Sequence, residues 1–143
     1  MKIETIVKLE SNIDHLSGEE IGAALESLNG MEEVLDASYF SGIGKKNRPC
    51  GKLEVLCAMG HEDLVAKAIF RHTHTLGLRM MEARRLVLER SEGKAEFEDG
   101  LVRVKNYVLE GVRYQRPEAD ELIRLAREKD LGMPALRICK AGD

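Results

Sequence analysis

Residues 34–59 read VLDASYFSGIGKKNRPCGKLEVLCAM, two runs with strand character on either side of a basic, glycine-containing loop. In the second run Leu53, Val55 and Cys57 fall on one face, the period of a half-buried strand. Strands are therefore expected over Val34–Ile43 and Lys52–Met59, joined by the loop as a hairpin. The loop, GKKNRPCGK over residues 44–52, holds Lys45, Lys46, Arg48 and Lys52 and no acid. The chain as a whole has 22 Lys+Arg against 25 Asp+Glu, so this positive charge is local rather than general. Gly42, Gly44 and Gly51 let the backbone approach a ligand closely, and Pro49 stiffens one point of the loop. Arg48 offers a planar fork suited to phosphate or carboxylate, and Asn47 a neutral donor and acceptor. Taken alone, the same loop also fits a solvated hairpin tip. Its place among the other elements is what singles it out.

Toward the N-terminus, Ile3, Val7 and Leu9 alternate with Glu4, Lys8 and Glu10, the pattern of a strand with one dry face. Ser17 and Glu20 have capping-box spacing, and Ile21, Ala24, Leu25 and Leu28 then mark one face of a helix that Asn29-Gly30 stops. On the other side of the hairpin, Leu64, Val65, Ala68 and Ile69 mark a second helix running to about Thr73, with Gly77 as a terminator and a strand from near Leu78. The order β-α-β-β-α-β is that of a ferredoxin-like sandwich. A helical crossover makes the first two strands parallel, and the third, inserted between them, runs antiparallel to both. Asn12 and Asp14, the hairpin tip from Lys45 to Arg48, and the segment from Thr73 to Arg79 should then share one edge of the sheet. That edge would offer Asp14 to a hard cation, lysines and arginines to phosphates, and the Thr73 and Thr75 hydroxyls.

Beyond Arg79, the groups Leu86 and Leu88, Ala95 and Phe97, and Val102, Val104 and Val108 suggest a β-meander with a turn at Asp99-Gly100. Pro117 is expected to open a helix with Ala119, Leu122, Ile123 and Ala126 inward and Gly132 at its close, and Pro134 a short last helix. The fold class is thus α+β, a ferredoxin-like unit over 1–79 followed by an appended meander and helical segment over 80–143, in one compact body.

Several functional classes fit poorly. The first ten residues are neither a signal peptide nor a membrane span, which points to a cytoplasmic protein without a membrane partner. Three cysteines, Cys50, Cys57 and Cys139, with no Cys-x-x-Cys spacing argue against a disulfide framework or a thiolate zinc site. Three Phe, three Tyr and no Trp leave little for stacking nucleic-acid bases. Glycine-rich phosphate loops and nucleophile elbows of familiar pattern are absent, and no catalytic residue is assigned. Among the histidines, His72 and His74 share a face only in extended chain, since on a helix they point about 200° apart. His15, beside Asp14, is placed to bind a metal or, when protonated, a phosphate.

Four segments in order, SNIDHLSGEE (11–20), KKNRPCGKLEVLC (45–57), RHTHTLGLR (71–79) and RPEADELIRLAREKDLGMPALRI (116–138), resemble the C-terminal domain of LarC-type proteins. Members insert nickel into pyridinium-3,5-bisthiocarboxylic acid mononucleotide, making the nickel-pincer cofactor in a reaction that consumes CTP. The resemblance implies a domain that binds CTP with Mg or Mn, builds a homo-oligomer, and works with a separately encoded nickel-binding domain that handles the transferred metal. It implies that Asn12, Lys45, Lys46, Asn47, Arg48, Thr73, Thr75 and Arg79 form the nucleotide site, with Asp14 as metal ligand. His15, His72 and His74 depart from the family pattern, where Asp, Glu and Thr are usual, and are further metal candidates with a leaning to softer ions. The alternative is a ligand-sensing ferredoxin-like module with no chemistry of its own.

Overall fold

A computed structural model describes residues 1–97 and 100–132. The elements are β1 Lys2–Ile13, α1 Gly18–Asn29, β2 Val34–Ile43, β3 Pro49–Ala58, α2 Glu62–Thr73, β4 Arg79–Val87, β5 Arg90–Phe97, β6 Gly100–Leu109, β7 Val112–Pro117 and α3 Ala119–Glu128. They form two compact units, Ile3–Leu86 and a second comprising Met1–Lys2 with the chain from Val87 onward.

The first unit is the ferredoxin-like sandwich, with strand order β2-β3-β1-β4. β3 is antiparallel to both neighbours, with Leu9 opposite Val55 and Ala37 also opposite Val55, so β1 and β2 are parallel. β4 runs antiparallel to β1, because Arg79 at its start bonds Glu10 and Arg85 near its end bonds Glu4. Val7, Leu9, Ile13, Leu53, Val55 and Cys57 cover one sheet face and meet Leu28 of α1 and Val65 and Ile69 of α2. Each fully buried Leu, Ile or Val contributes about 1.5–3 kcal/mol of transfer free energy, so this layer holds the unit together.

Local chemistry sets the element ends. Ser17 and Glu20 close a reciprocal capping box, Ser17 N–H to Glu20 Oε2 at 2.7 Å and Glu20 N–H to Ser17 Oγ at 3.3 Å. Asn29 ends α1 by bonding both the N–H and the C=O of Ala37, which ties the helix to β2. α2 stops at Thr73 through His74, a left-handed residue (φ 51°) whose N–H returns to Phe70 O, rather than through Gly77 as its composition suggests. β3 begins at Pro49, ahead of Lys52, because Pro49 and Cys50 still pair with Ile43 and Gly42. β4 continues to Val87, well past Arg79, as its polar Arg79 and Arg85 are anchored on β1.

In the second unit β5, β6 and β7 form an antiparallel meander, and Val102, Val104 and Ala95 pack against Leu125 of α3. β7 carries no buried residue, so no hydrophobic pattern announces it. It is joined to β6 by a two-residue turn, Glu110-Gly111, with φ of 51° and 80°, the type I′ geometry of tight hairpins. Pro117 closes β7 instead of opening the helix, and α3 ends at Glu128, with left-handed Asp130 (φ 51°) reversing the chain ahead of Gly132. The turn residue Asp99, the segment at Pro134 and Cys139 lie outside the described residues. Among the described residues no helix is long and apolar enough to cross a membrane.

Candidate functional site

The end of β1, the β2–β3 hairpin and the α2–β4 loop meet along one edge of the four-stranded sheet. Buried Ser11 Oγ donates to Gly77 O at 2.9 Å and lies 2.6 Å from Thr75 Oγ1, which clamps the α2–β4 loop onto β1. Thr73 Oγ1 donates to Ile69 O at 2.7 Å and accepts from Thr75 N–H at 3.3 Å. Both threonine hydroxyls are thus engaged inside the wall of the edge, and what they supply is its shape.

Arg79 reaches across the outer sheet face, with Nε to Glu10 Oε1 at 2.8 Å and Nη2 to Asn12 Oδ1 at 2.9 Å. The bond from Arg79, followed by that from Lys8, holds the Glu10 carboxyl below the usual carboxylate range. Lys8 and Lys52 each approach both Glu10 and Glu54, forming an alternating lattice across β1 and β3. Lys52 also lies over the Phe40 ring, 5.6 Å from its centroid. Lys52 therefore belongs to this lattice, whereas the rest of the basic cluster stands at the hairpin tip.

The tip itself is tightly wound. Gly44 N–H donates to Arg48 O at 2.9 Å across the turn, and Lys46 (φ 60°) and Asn47 (φ 57°) are both left-handed. A left-handed lysine costs about 1–2 kcal/mol relative to the usual helical region. A Cβ at Gly44 would lie 2.7 Å from Cys50 Sγ and make that thiol shift, whereas one at Gly51 would strike the Tyr39 ring, so close packing at the hairpin base restricts Gly51 most. Lys45, Lys46 and Asn47 are exposed, and among the described residues neither ammonium has an acidic partner. Arg48, by contrast, donates from Nη2 to Asp14 Oδ2 at 2.7 Å. The carboxylate and the guanidinium assigned to cation and phosphate are therefore paired with each other.

His15 Nε2 lies 2.7 Å from Thr73 O, and its Nδ1 lies 3.9 Å from Asp14 Oδ1. His72 is exposed in the last turn of α2, and His74 occupies the left-handed cap position after it. Among the described residues no three His, Cys, Asp or Glu side chains gather closely enough to hold a metal by themselves. A cation here would need its remaining ligands from an anion and water, the usual arrangement for Mg²⁺ on a polyphosphate.

Sequence reasoning passed over Glu10 and Ser11. Glu10 is an outward-facing polar residue like any other on an alternating strand, and nothing local marks its link to Arg79. Ser11 had a signal, since it occupies an inward position between Leu9 and Ile13, where a hydroxyl must find a partner.

Residues 1–137 match the family described as Nickel insertion protein. A putative nickel insertion protein of Maridesulfovibrio salexigens is 39% identical over 122 residues, covering 84% of this chain and 29% of that protein. The pyridinium-3,5-bisthiocarboxylic acid mononucleotide nickel insertion protein of Alkaliphilus metalliredigens is 39% identical over 126 residues, covering 87% of this chain and 29% of that protein. This chain thus spans about a third or less of these curated relatives. Among solved structures, the apo C-terminal domain of a cyclometallase involved in the synthesis of the NPN cofactor of lactate racemase superposes with a TM-score of 0.84 and 25% identity, over 94% of this chain and 93% of that domain. With the fold, the family match and the relatives in agreement, the chain belongs to the nickel insertion protein family, also called the LarC family, and corresponds in structure to the C-terminal domain of its members.

Proposed function

We propose that this cytoplasmic chain is the nucleotide-binding part of a nickel insertion system, binding CTP with a divalent cation in support of nickel transfer into pyridinium-3,5-bisthiocarboxylic acid mononucleotide. The observation that carries this is the meeting of Asp14 from the end of β1 with Arg48 from the hairpin tip at 2.7 Å, in a tip whose Lys45 and Lys46 ammonium groups have no acidic partner among the described residues. Lys45, Lys46 and Arg48 hold phosphate oxygens, and Asp14 takes the cation, Mg²⁺ or Mn²⁺, that accompanies them. Asn47 orients base or sugar. Asn12 and Arg79 supply a donor and acceptor pair along the same edge, with Thr73 and Thr75 shaping the wall behind them. His72 and His74, exposed at the C-terminal end of α2, supply additional imidazoles for the transferred nickel.

Arg48 would turn from Asp14 to a phosphate oxygen, and Asp14 would then be left to hold the divalent cation. Bound CTP supplies the free energy of phosphoanhydride cleavage. Nickel is cargo delivered by a nickel-binding domain, and an edge this shallow is enclosed by neighbouring copies in a homo-oligomer. Incubation with CTP and Mg²⁺ or Mn²⁺, followed by chromatographic separation of nucleotides, tests the reading. Turnover supports a part in the reaction, tight unhydrolysed binding supports a sensing module, and absence of binding rejects both.

A further inference from the structure

The meander of the second unit has one face covered and one open. Val102, Val104 and Ala95 pack against Leu125 of α3. Side chains alternate along each strand and residues opposite each other share a face, so the register gives the open face row by row. Arg90, Tyr107 and Tyr114 form one row across β5, β6 and β7, and Glu92, Lys105 and Arg116 form the next. On the other side of the tyrosines stands Leu109 opposite Val112, both exposed.

The Tyr107 and Tyr114 rings stack, 5.4 Å between centroids and 18° between planes. Tyr114 lies on the edge strand and is 43% exposed, so the stack is open at that end. Of the cations on this face, Arg103 and Lys105 are engaged by Glu118 and Glu121. Arg90 and Arg116 are exposed and have no acidic partner among the described residues. Arg116 also stands directly opposite Lys105, and like charges so placed oppose strand pairing unless an anion offsets them. Glu118 answers Lys105, at 3.6 Å, and Glu92 has β6 between it and Arg116.

An open aromatic stack, an apolar strip on one side and a guanidinium group on the other suit a ligand that is planar in one part and anionic in another. Tyrosine ring faces are electron-rich, so a cationic ring gains more from them than a neutral one. Guanidinium forks take phosphate or carboxylate-type oxygens. A pyridinium ring with anionic substituents meets both demands, whereas a cytosine nucleotide meets only the second. We propose that this face binds the pyridinium mononucleotide that accepts nickel, its ring against the open side of Tyr114 and its anionic groups on Arg116, with Arg90 adding positive charge beyond Tyr107. The proposal rests on the reading above, that the chain serves nickel transfer to this mononucleotide, and adds which residues hold the acceptor.

The chain has three tyrosines and no tryptophan, so a sample with ¹³C-labelled tyrosine rings reports on this face by NMR with Tyr39 of the first unit as internal control. The probe is nicotinic acid mononucleotide, a pyridinium ring with one carboxylate and a ribose phosphate. It is titrated into the full chain, with CTP–Mg²⁺ and ribose 5-phosphate in parallel samples. The pyridinium probe should move Tyr107 and Tyr114 and leave Tyr39 in place. No movement of Tyr107 and Tyr114, or equal movement with CTP–Mg²⁺ or ribose 5-phosphate, overturns the proposal. Tyrosine shifts on diluting the protein alone also overturn it, because the face then meets a second copy. Tyr114→Leu, which keeps the face apolar, should weaken the probe about three- to tenfold, and Tyr114→Phe less. Arg116→Gln should weaken it about tenfold, and unchanged affinity in Tyr114→Leu and Arg116→Gln again overturns the proposal. Backbone amides of Lys46 and Arg48 separate the two readings in the same samples. If CTP–Mg²⁺ leaves them in place while the pyridinium probe moves the tyrosines, the nucleotide reading fails and this site stands.

Discussion

Replacing Arg48 by alanine should separate binding from stability. Among the described residues the Arg48 side chain makes one hydrogen bond, to Asp14, with side chains 62% and 41% exposed. Exposed ion pairs of this kind contribute about 0.2–1 kcal/mol, because water screens the attraction and two mobile side chains must be ordered. The loss in melting temperature should therefore be about 4 °C or less for a chain of this size. A phosphate oxygen bonded to the same guanidinium is a charge-assisted hydrogen bond worth about 1.5–3 kcal/mol, or about 10- to 150-fold in affinity. Lys46 sharpens the comparison. Lys46→Gly removes the ammonium while placing at φ 60° a residue that adopts this region freely. Relief of strain and the added flexibility of the unfolded chain nearly cancel, so its stability should stay within about 1 kcal/mol of wild type. Calorimetric titration with CTP and Mg²⁺, at low ionic strength and again at physiological salt, measures both losses. Unchanged affinity in both variants would remove the hairpin from the site, and a fall in affinity matched by general unfolding would make it structural.

Asp14→Asn should weaken metal-dependent CTP binding while sparing or raising metal-free binding, because it frees Arg48 and removes the carboxylate that repels phosphate; equal loss with and without Mn²⁺ in calorimetry refutes this. Ser11→Ala should cost about 1–3 kcal/mol in urea unfolding, since it leaves the buried Thr75 hydroxyl with only a long 3.4 Å bond to Gly77 O, and adding Thr75→Val should recover part of that loss; additive losses would deny the coupling. Glu10, whose pKa is depressed chiefly by the bond from Arg79, contributes stability that is present above the ordinary carboxylate range and lost as pH falls through its lowered value. In Arg79→Met that carboxyl returns toward its ordinary value, so acid unfolding followed by circular dichroism should begin at higher pH than in wild type, and coincident curves would contradict the link. Finally, purified chain mixed with CTP, Mn²⁺, nickel and the nickel-free mononucleotide should yield no nickel-loaded product by mass spectrometry until a nickel-binding polypeptide is added; product from the chain alone refutes the two-part scheme.

The sandwich was legible because its signals are local. Period-two runs on either side of the basic loop, the Ser17–Glu20 box and the helical spacing of Val65 and Ile69 each depend on a few neighbouring residues, and the topology that joins them has few alternatives. The convergence of Asp14, the hairpin tip and Thr73–Arg79 followed from that topology alone. What the candidate residues do to one another did not. The Asp14–Arg48 and Arg79–Glu10 bonds join residues separated by 34 and 69 positions, and only register and side-chain reach decide them. The inward turn of Thr73 was partly readable, because Val65, Ile69 and Thr73 fall at successive fourth positions on one helix face. β7 was not readable, because its residues are exposed and its turn uses Glu110 where Asn or Asp is the usual signal.

The pairing of Asp14 with Arg48 has a consequence for the order in which ligands bind. A bare polyphosphate reaching this edge meets two ammonium groups that have no acidic partner among the described residues and one guanidinium whose charge is offset by a carboxylate 2.7 Å away. To gain Arg48 it must leave Asp14 unpaired beside its own negative charge, which opposes binding. A cation arriving alone gains Asp14 but competes with Arg48 for the same carboxylate. Arriving together, the cation satisfies Asp14 and the phosphates satisfy Arg48, and no charge is left without a partner. Cation and polyphosphate should therefore bind with positive coupling, and by linkage each must tighten the other by the same factor. Such coupling needs no conformational change in the backbone. It would let the edge distinguish a metal-loaded polyphosphate from free phosphate compounds.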